Sequence, residues 1–102
     1  MLGIDPIIDQ PVRLRIMAAL VALDVKDQVD FGYLRDLLKV TDGNLGAHLQ
    51  RLEAAGYIGV EKTFVRRKPR TFVAATAKGR SAFQEYVAAL ENIMRSSTEK
   101  ND

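Results

Sequence analysis

The sequence predicts an α+β, mainly helical domain, and three observations carry that expectation. Apolar residues recur at helical spacing in four separate stretches. Two runs with strand patterning lie later in the chain, at 57–65 and 71–76. Between them sits "RRKPR", residues 66–70, a turn made almost wholly of positive charge. At 102 residues, with 47% apolar and 27% charged side chains, the chain suits one folded domain with a modest core. Residues 1–95 are expected to form it, with 96–102 a polar, disordered tail.

The first helix is expected to begin near Asp9–Pro11, a capping acid followed by an early-turn proline, and to run to about Leu23. Val12, Ile16, Ala19 and Leu23 make one apolar face; Leu14, Met17 and Val21 make a second, which suggests that a partner subunit covers part of it. "VDF" at 29–31 reads as a very short strand. "YLRDLLKV" at 33–40 reads as a second helix with Leu34, Leu37 and Leu38 inward. A third helix is expected from Thr41 to Ala55, anchored by Leu45, Leu49 and Leu52 and ended by Gly56. In the first long strand Ile58, Val60 and Phe64 favour one face, and "TFVAAT" pairs with it. Pro69 is expected to stiffen the turn between them. The last helix runs from about Ala77 to near Met94, with Phe83, Tyr86 or Val87, Leu90, and Ile93 or Met94 at heptad-like spacing. This order is the layout of a winged helix-turn-helix with a two-stranded basic wing and a C-terminal dimerisation helix.

Composition excludes several chemistries. There is no cysteine, so disulfides and thiolate metal sites are out, and the single histidine, His48, makes no metal site alone. No nucleophile–base pair or phosphate loop of the G-x-x-x-x-G-K type is present, so neither an enzyme nor a cofactor is expected. The longest apolar run, Ile16–Leu23, has eight residues, far below the roughly 20 that a membrane span needs. No basic segment precedes an apolar one at the N-terminus, and a cytoplasmic protein is expected. Net charge is +2, but seven bases and one acid between Glu61 and Arg80 give that stretch +6 and leave −4 for the other 82 residues. The asymmetry suggests an end that faces a polyanion.

A helix that reads DNA needs an apolar inner face and a low, polar front near its N-terminus. Thr41, Asp42, Gly43, Asn44, Gly46 and Ala47 supply the front. Glycine allows close backbone approach, and a helix N-terminus suits phosphate; equally, the Asp42–Gly43 pair could simply start the helix late, at a turn. Asn44 and Gln50 have side chains able to read adenine, and Arg51 suits a phosphate. His48, on the edge of the leucine stripe, is read as packed or hydrogen-bonded within the fold. Arg66, Arg67, Lys68 and Arg70 form a wing able to follow a phosphate backbone or enter a minor groove, the plainer reading being a solvated basic turn. Leu14, Met17, Val21, Tyr86, Leu90, Ile93 and Met94 are the candidate surface of a homodimer. Double-stranded DNA is the expected partner. The other reading is a winged helix that assembles with an acidic protein.

Read together, "QPVRLRIMAAL", "TDGNLGAHLQRLEAAGYIGVEK" and "KPRTFVAATAKGR" resemble the small winged-helix transcriptional regulators related to the MarR and ArsR families. "LGAHLQRLEAAGYI" is similar to their serine-x-His-Leu-x-x-Leu-x-x-x-Gly pattern, with Gly46 in place of the usual serine or threonine. "VAAT" at 73–76 stands where a pattern ending Leu-Thr is commoner. The resemblance covers about residues 5–94. It implies DNA contacts from Thr41, Asp42, Gly43, Asn44, Gly46, Ala47 and Arg51, and from the wing at Arg66–Arg70. Metal sensing by cysteine or clustered histidine is not inherited. The sequence names no effector; the apolar interface between the first and last helices is where one would act.

Overall fold

The computed structural model describes residues 3–100. Four helices and three strands follow in the order α1 (Pro11–Val21), β1 (Val29–Asp30), α2 (Phe31–Leu38), α3 (Asp42–Ala54), β2 (Ile58–Val65), β3 (Lys68–Ala75) and α4 (Ala77–Lys100). The sheet is antiparallel with β3 central, in the order β1-β3-β2, so β1 adds a third strand to the expected two-stranded wing. β1 is pinned by Val29 opposite Val73 and Asp30 opposite Phe72. The β2–β3 hairpin pairs from Ile58–Ala75 out to Val65–Lys68.

Each helix begins where a side chain accepts an otherwise free backbone N–H. For α1 that residue is Gln10, whose Oε1 accepts from Arg13 N at 2.8 Å, with Pro11 in the first turn. Asp9, the expected cap, instead accepts from the Tyr86 hydroxyl at 2.9 Å. Asp30 caps α2 by accepting from Tyr33 N, and so this helix starts at Phe31, two residues earlier than the apolar pattern suggested. Thr41 caps α3, accepting from Asn44 N at 3.1 Å.

Helix ends are closed with equal definition. α1 stops at Val21, and the Arg80 guanidinium donates to the carbonyls of Val21 and Leu23. Arg15 donates to the Leu38 carbonyl at the end of α2 at 2.7 Å. At the end of α3, Gly56 takes φ +80°, Tyr57 N donates to Leu52 O, and Gly56 N donates to Glu53 O. This is the paired bonding of a Schellman cap, which needs a left-handed residue that glycine supplies without strain.

The core joins Ile8, Ile16, Met17, Leu20, Leu34, Leu38, Leu45, Leu49, Leu52, Ile58, Val73 and Tyr86. Burying each of the three α3 leucines contributes about 1.5–3 kcal/mol, and all three are buried. Two residues expected at a subunit interface therefore lie inside the protomer: Met17 is fully buried and Tyr86 is 4% exposed. The second apolar face of α1 is largely covered within the chain, and Leu14 and Val21 remain half-buried. Leu37, expected inward, is exposed, because the short α2 turns Leu34 and Leu38 to the core instead.

α4 outruns the body. Its first half packs through Ala82, Phe83, Tyr86 and Ala89, while Leu90, Ile93 and Met94 are 38%, 52% and 63% exposed. The helix continues past Met94 through Lys100, so residues 96–100 of the expected tail are helical; 101 and 102 lie outside the described residues. Thr98 Oγ1 donates to the Met94 carbonyl, one turn back within this exposed part of the helix.

Gly79 is where α4 meets the sheet. It is buried, and a Cβ built there would run into the Tyr57 carbonyl. Gly79→Ala is expected to lower stability by about 1–3 kcal/mol through this overlap, despite alanine's better helix propensity. Urea unfolding of the two proteins measures it.

Candidate nucleic-acid interface

α3 is held on three sides and open on the fourth. Leu45, Leu49 and Leu52 face the core. On one flank His48 faces α1, its Nδ1 3.1 Å from Arg13 Nη1. Since a guanidinium only donates, Nδ1 accepts and the imidazole is neutral, as the fold-internal reading of His48 expected. On the other flank Gly46, Leu49, Gln50 and Glu53 form one wall of a groove of about 340 Å³; Val60, Lys62 and Thr71 of the hairpin, with Phe31, form the other. What remains uncovered is the stripe Gly43, Ala47, Gln50, Ala54, with Asn44 and Arg51 beside it, and all six are exposed.

The front of α3 is low. A Cβ at Gly43 or Gly46 would meet nothing within 4 Å. Alanine would therefore fit at both positions and would favour the helix by about 1 kcal/mol each; nothing inside the fold requires glycine there. Gly46 borders the groove rather than the open stripe. Thr41 gives its hydroxyl oxygen to the cap. Asp42, an unfavourable neighbour for phosphate, is 2.9 Å from Arg35 Nη1 of α2, and Arg35 also bonds Asp36. These two carboxylates raise the Arg35 pKa, so the guanidinium stays charged beside the start of α3.

The expected basic turn is tighter than the sequence suggested. Only Arg66 and Arg67 form it, with φ +53° and +67°, the sign pattern of a type I′ turn. Lys68, Pro69 and Arg70 belong to β3, and Pro69 lies opposite Phe64 rather than stiffening the turn. Arg70 faces back to the body: its Nε is 2.8 Å from Asp30 Oδ1, and its guanidinium sits 5.9 Å from the centre of the Phe72 ring. Burial would raise the Asp30 pKa, but the Tyr33 amide and the Arg70 pair outweigh it and hold the carboxyl below its ordinary value. Arg80 is likewise spent on the end of α1, and Lys78 stands over the Tyr57 ring. Among the described residues, Lys62, Arg66, Arg67 and Lys68 make no ion pair. The basic end thus narrows to the outer wing.

This geometry, three helices with the third exposed beside a basic hairpin, agrees with comparison to known proteins. The family model of the winged helix DNA-binding domain matches residues 12–94. The chain belongs to this family. An uncharacterised protein of Methanocaldococcus jannaschii is 37% identical over 81 residues, covering 79% of this chain and 85% of its own. The structure of a transcriptional regulator homologue from Pyrococcus horikoshii superposes with a TM-score of 0.79 at 30% identity, covering 88% of this chain and 86% of that one. A MarR-family regulator from Enterococcus faecalis shares the fold, with a TM-score of 0.68 at 22% identity over 93% of this chain and 82% of that one. The winged-helix architecture expected from the sequence is the observed one.

His48 makes the seating of α3 sensitive to acid. Burial first, then the charges of Arg13 and Arg51, holds its pKa below 6.5. The unfolded chain therefore binds this proton at a higher pH than the folded one. The stabilisation is complete above about pH 6.5 and is lost as pH falls through the lower folded value. His48→Gln keeps an acceptor for Arg13 but does not titrate. Its urea midpoint is expected to fall less than that of the wild type between neutral and mildly acidic pH.

Proposed function

We propose that the protein is a sequence-specific, double-stranded-DNA-binding transcriptional regulator that acts as a homodimer in the cytoplasm, without enzymatic activity. The observation that carries this reading is the open stripe of α3 lying beside four cations that the fold does not use. α3 enters the major groove with Gly43 and Ala47 toward the duplex. Asn44 and Gln50 contact base edges and Arg51 a phosphate. Arg66, Arg67 and Lys68 follow the backbone or the adjacent minor groove. Arg70 supports the wing's base through Asp30 more than it contacts DNA. The similarity to a transcriptional regulator homologue at 30% identity supports the regulatory role.

The dimer surface is the exposed apolar stripe of α4, Val87, Leu90, Ile93 and Met94, with half-buried Leu14 and Val21 as further candidates. Two-fold pairing of this kind sets two reading helices about one helical turn apart on one side of a duplex. Replacing both Leu90 and Ile93 with Glu is expected to halve the mass seen by sedimentation while circular dichroism stays unchanged. A wild-type monomer would remove the dimer from the reading.

DNA binding is tested by fluorescence anisotropy on a random-sequence duplex across a salt series. Binding is expected to weaken steeply with salt. A variant with Arg66, Arg67 and Lys68 all changed to Ala is expected to lose up to about 3 from the logarithmic slope, roughly 0.9 for each phosphate contact. Equal slopes would leave these three cations without a phosphate contact. Absence of binding at low salt by the folded wild type would defeat the reading and point to an acidic protein partner.

A further inference from the structure

Phe64 is the aromatic side chain that the fold leaves most exposed, at 73%. Its strand register is that of a core residue: Ile58, Val60, Lys62 and Phe64 share one face of β2, opposite Ala75, Val73, Thr71 and Pro69. Burial fails along this face because the hairpin outruns the body, from Ile58, 3% exposed, to Phe64. Phe64 and its cross-strand neighbour Pro69 thus form an apolar pair with no core beneath them. Around them stand Lys62 on the same face and Arg66 and Arg67 in the turn, all exposed, with Lys68 on the opposite face beside Val65. The turn itself places two arginines at positive φ, a conformation unfavourable for a residue with a Cβ. The turn residues are not those that folding stability alone would select.

We propose that Phe64 is a DNA-contacting residue of the wing, its ring laid against the deoxyribose wall of a minor groove while the flanking cations meet the phosphates on either side. The inference rests on the DNA-binding reading above. A minor groove joins an apolar sugar wall to two rows of negative charge, which is the complement of an apolar ring flanked by Lys62, Arg66 and Arg67. Direction agrees as well. Phe64 lies on the face whose inner part, Val60, Lys62 and Thr71, looks across the groove to Gly46 and Gln50 of α3. A duplex seated on α3 meets this face. The opposite face of the hairpin carries Arg70, which is tied to Asp30.

The apolar and electrostatic parts of the wing separate in a salt series. Anisotropy is measured on a random-sequence duplex for the wild type, Phe64→Ala, Phe64→Leu, and the double variant Arg66→Ala with Arg67→Ala. Phe64→Ala is expected to bind about tenfold more weakly at every salt concentration with the slope unchanged, as for loss of an apolar contact. Phe64→Leu recovers most of the affinity. The arginine variant changes the slope. Because Phe64 holds no core position, Phe64→Ala is expected to melt with the wild type. Wild-type affinity in Phe64→Ala at all salts would overturn this inference and leave the DNA reading standing. A change of sedimentation mass in Phe64→Ala would assign the ring to a contact between copies and also overturn it. A wild type that binds no duplex would overturn both.

Discussion

The corner at Gly56–Tyr57 fixes the angle between α3 and the wing, and most of the fold converges on it. Gly56 in the left-handed region ends α3 and aims the chain into β2. Thr76, at the far end of the same hairpin, donates its hydroxyl to the Gly56 carbonyl at 2.7 Å and its backbone N–H to the Tyr57 carbonyl at 3.1 Å. The Thr76 hydroxyl also accepts from Gly79 N, so the threonine caps α4 while it closes the corner. Gly79 presses against the Tyr57 carbonyl, and the Tyr57 hydroxyl donates to Asp5 of the N-terminal segment, which with burial pushes its pKa up to about 12. One junction thus connects the end of α3, both long strands, the start of α4 and the segment before α1. A protein that must present a helix and a hairpin to one surface needs that angle held, and short backbone-directed bonds hold it better than apolar contacts, which have no direction.

Arginine serves two purposes here, and the division explains why charge counted along the sequence misleads. Arg13, Arg15 and Arg80 donate to backbone carbonyls at Ile7, Leu38, Val21 and Leu23, acting as struts between elements. Arg35 and Arg70 neutralise Asp42 and Asp30. The planar, multiply donating guanidinium suits such work, and the two ion-paired arginines lend little to a field outside the molecule. The local excess between Glu61 and Arg80 is therefore less free charge than its count suggests, and what is free gathers at the outer wing. The same pairing disposes of the carboxylate that seemed misplaced at the front of α3.

Elements set by local rules were legible in the sequence. The helical spacing of Leu45, Leu49 and Leu52, the glycine stop at Gly56 and the strand alternation before the turn specify α3 and β2 to within a residue or so, while β3 starts three residues earlier than its pattern suggests. Caps chosen by competition were not. Asp9 and Gln10 are both able to cap α1, and only the approach of the Tyr86 hydroxyl from α4 decides which is free. Burial also depends on what lies opposite. Met17 and Tyr86 look like surplus apolar surface until α1, α4 and Ile8 are seen to share one core. Phe64 looks like a core residue until the hairpin is seen to extend beyond the body. The exposed face of α3 was legible because it is local to the helix. The pairing of Arg70 was not legible because its partner, Asp30, is forty residues away in sequence.

The open face of α3 offers a duplex few side chains that can tell one base from another. Gly43, Ala47 and Ala54 present little beyond backbone and methyl groups, which leaves Asn44, Gln50 and Arg51 as the polar groups of the stripe. On the proposed DNA-binding reading, such a helix sits deep in the groove but reads sparsely, since each bidentate base contact is worth only about 1–3 kcal/mol. Discrimination then shifts to shape: how narrow the neighbouring minor groove is, and how readily it accepts the wing. A wing with a short turn, free cations and an apolar ring is built to sense those properties. The rigid corner at Gly56 matters for the same reason, because a shape is read only by two surfaces whose separation does not yield.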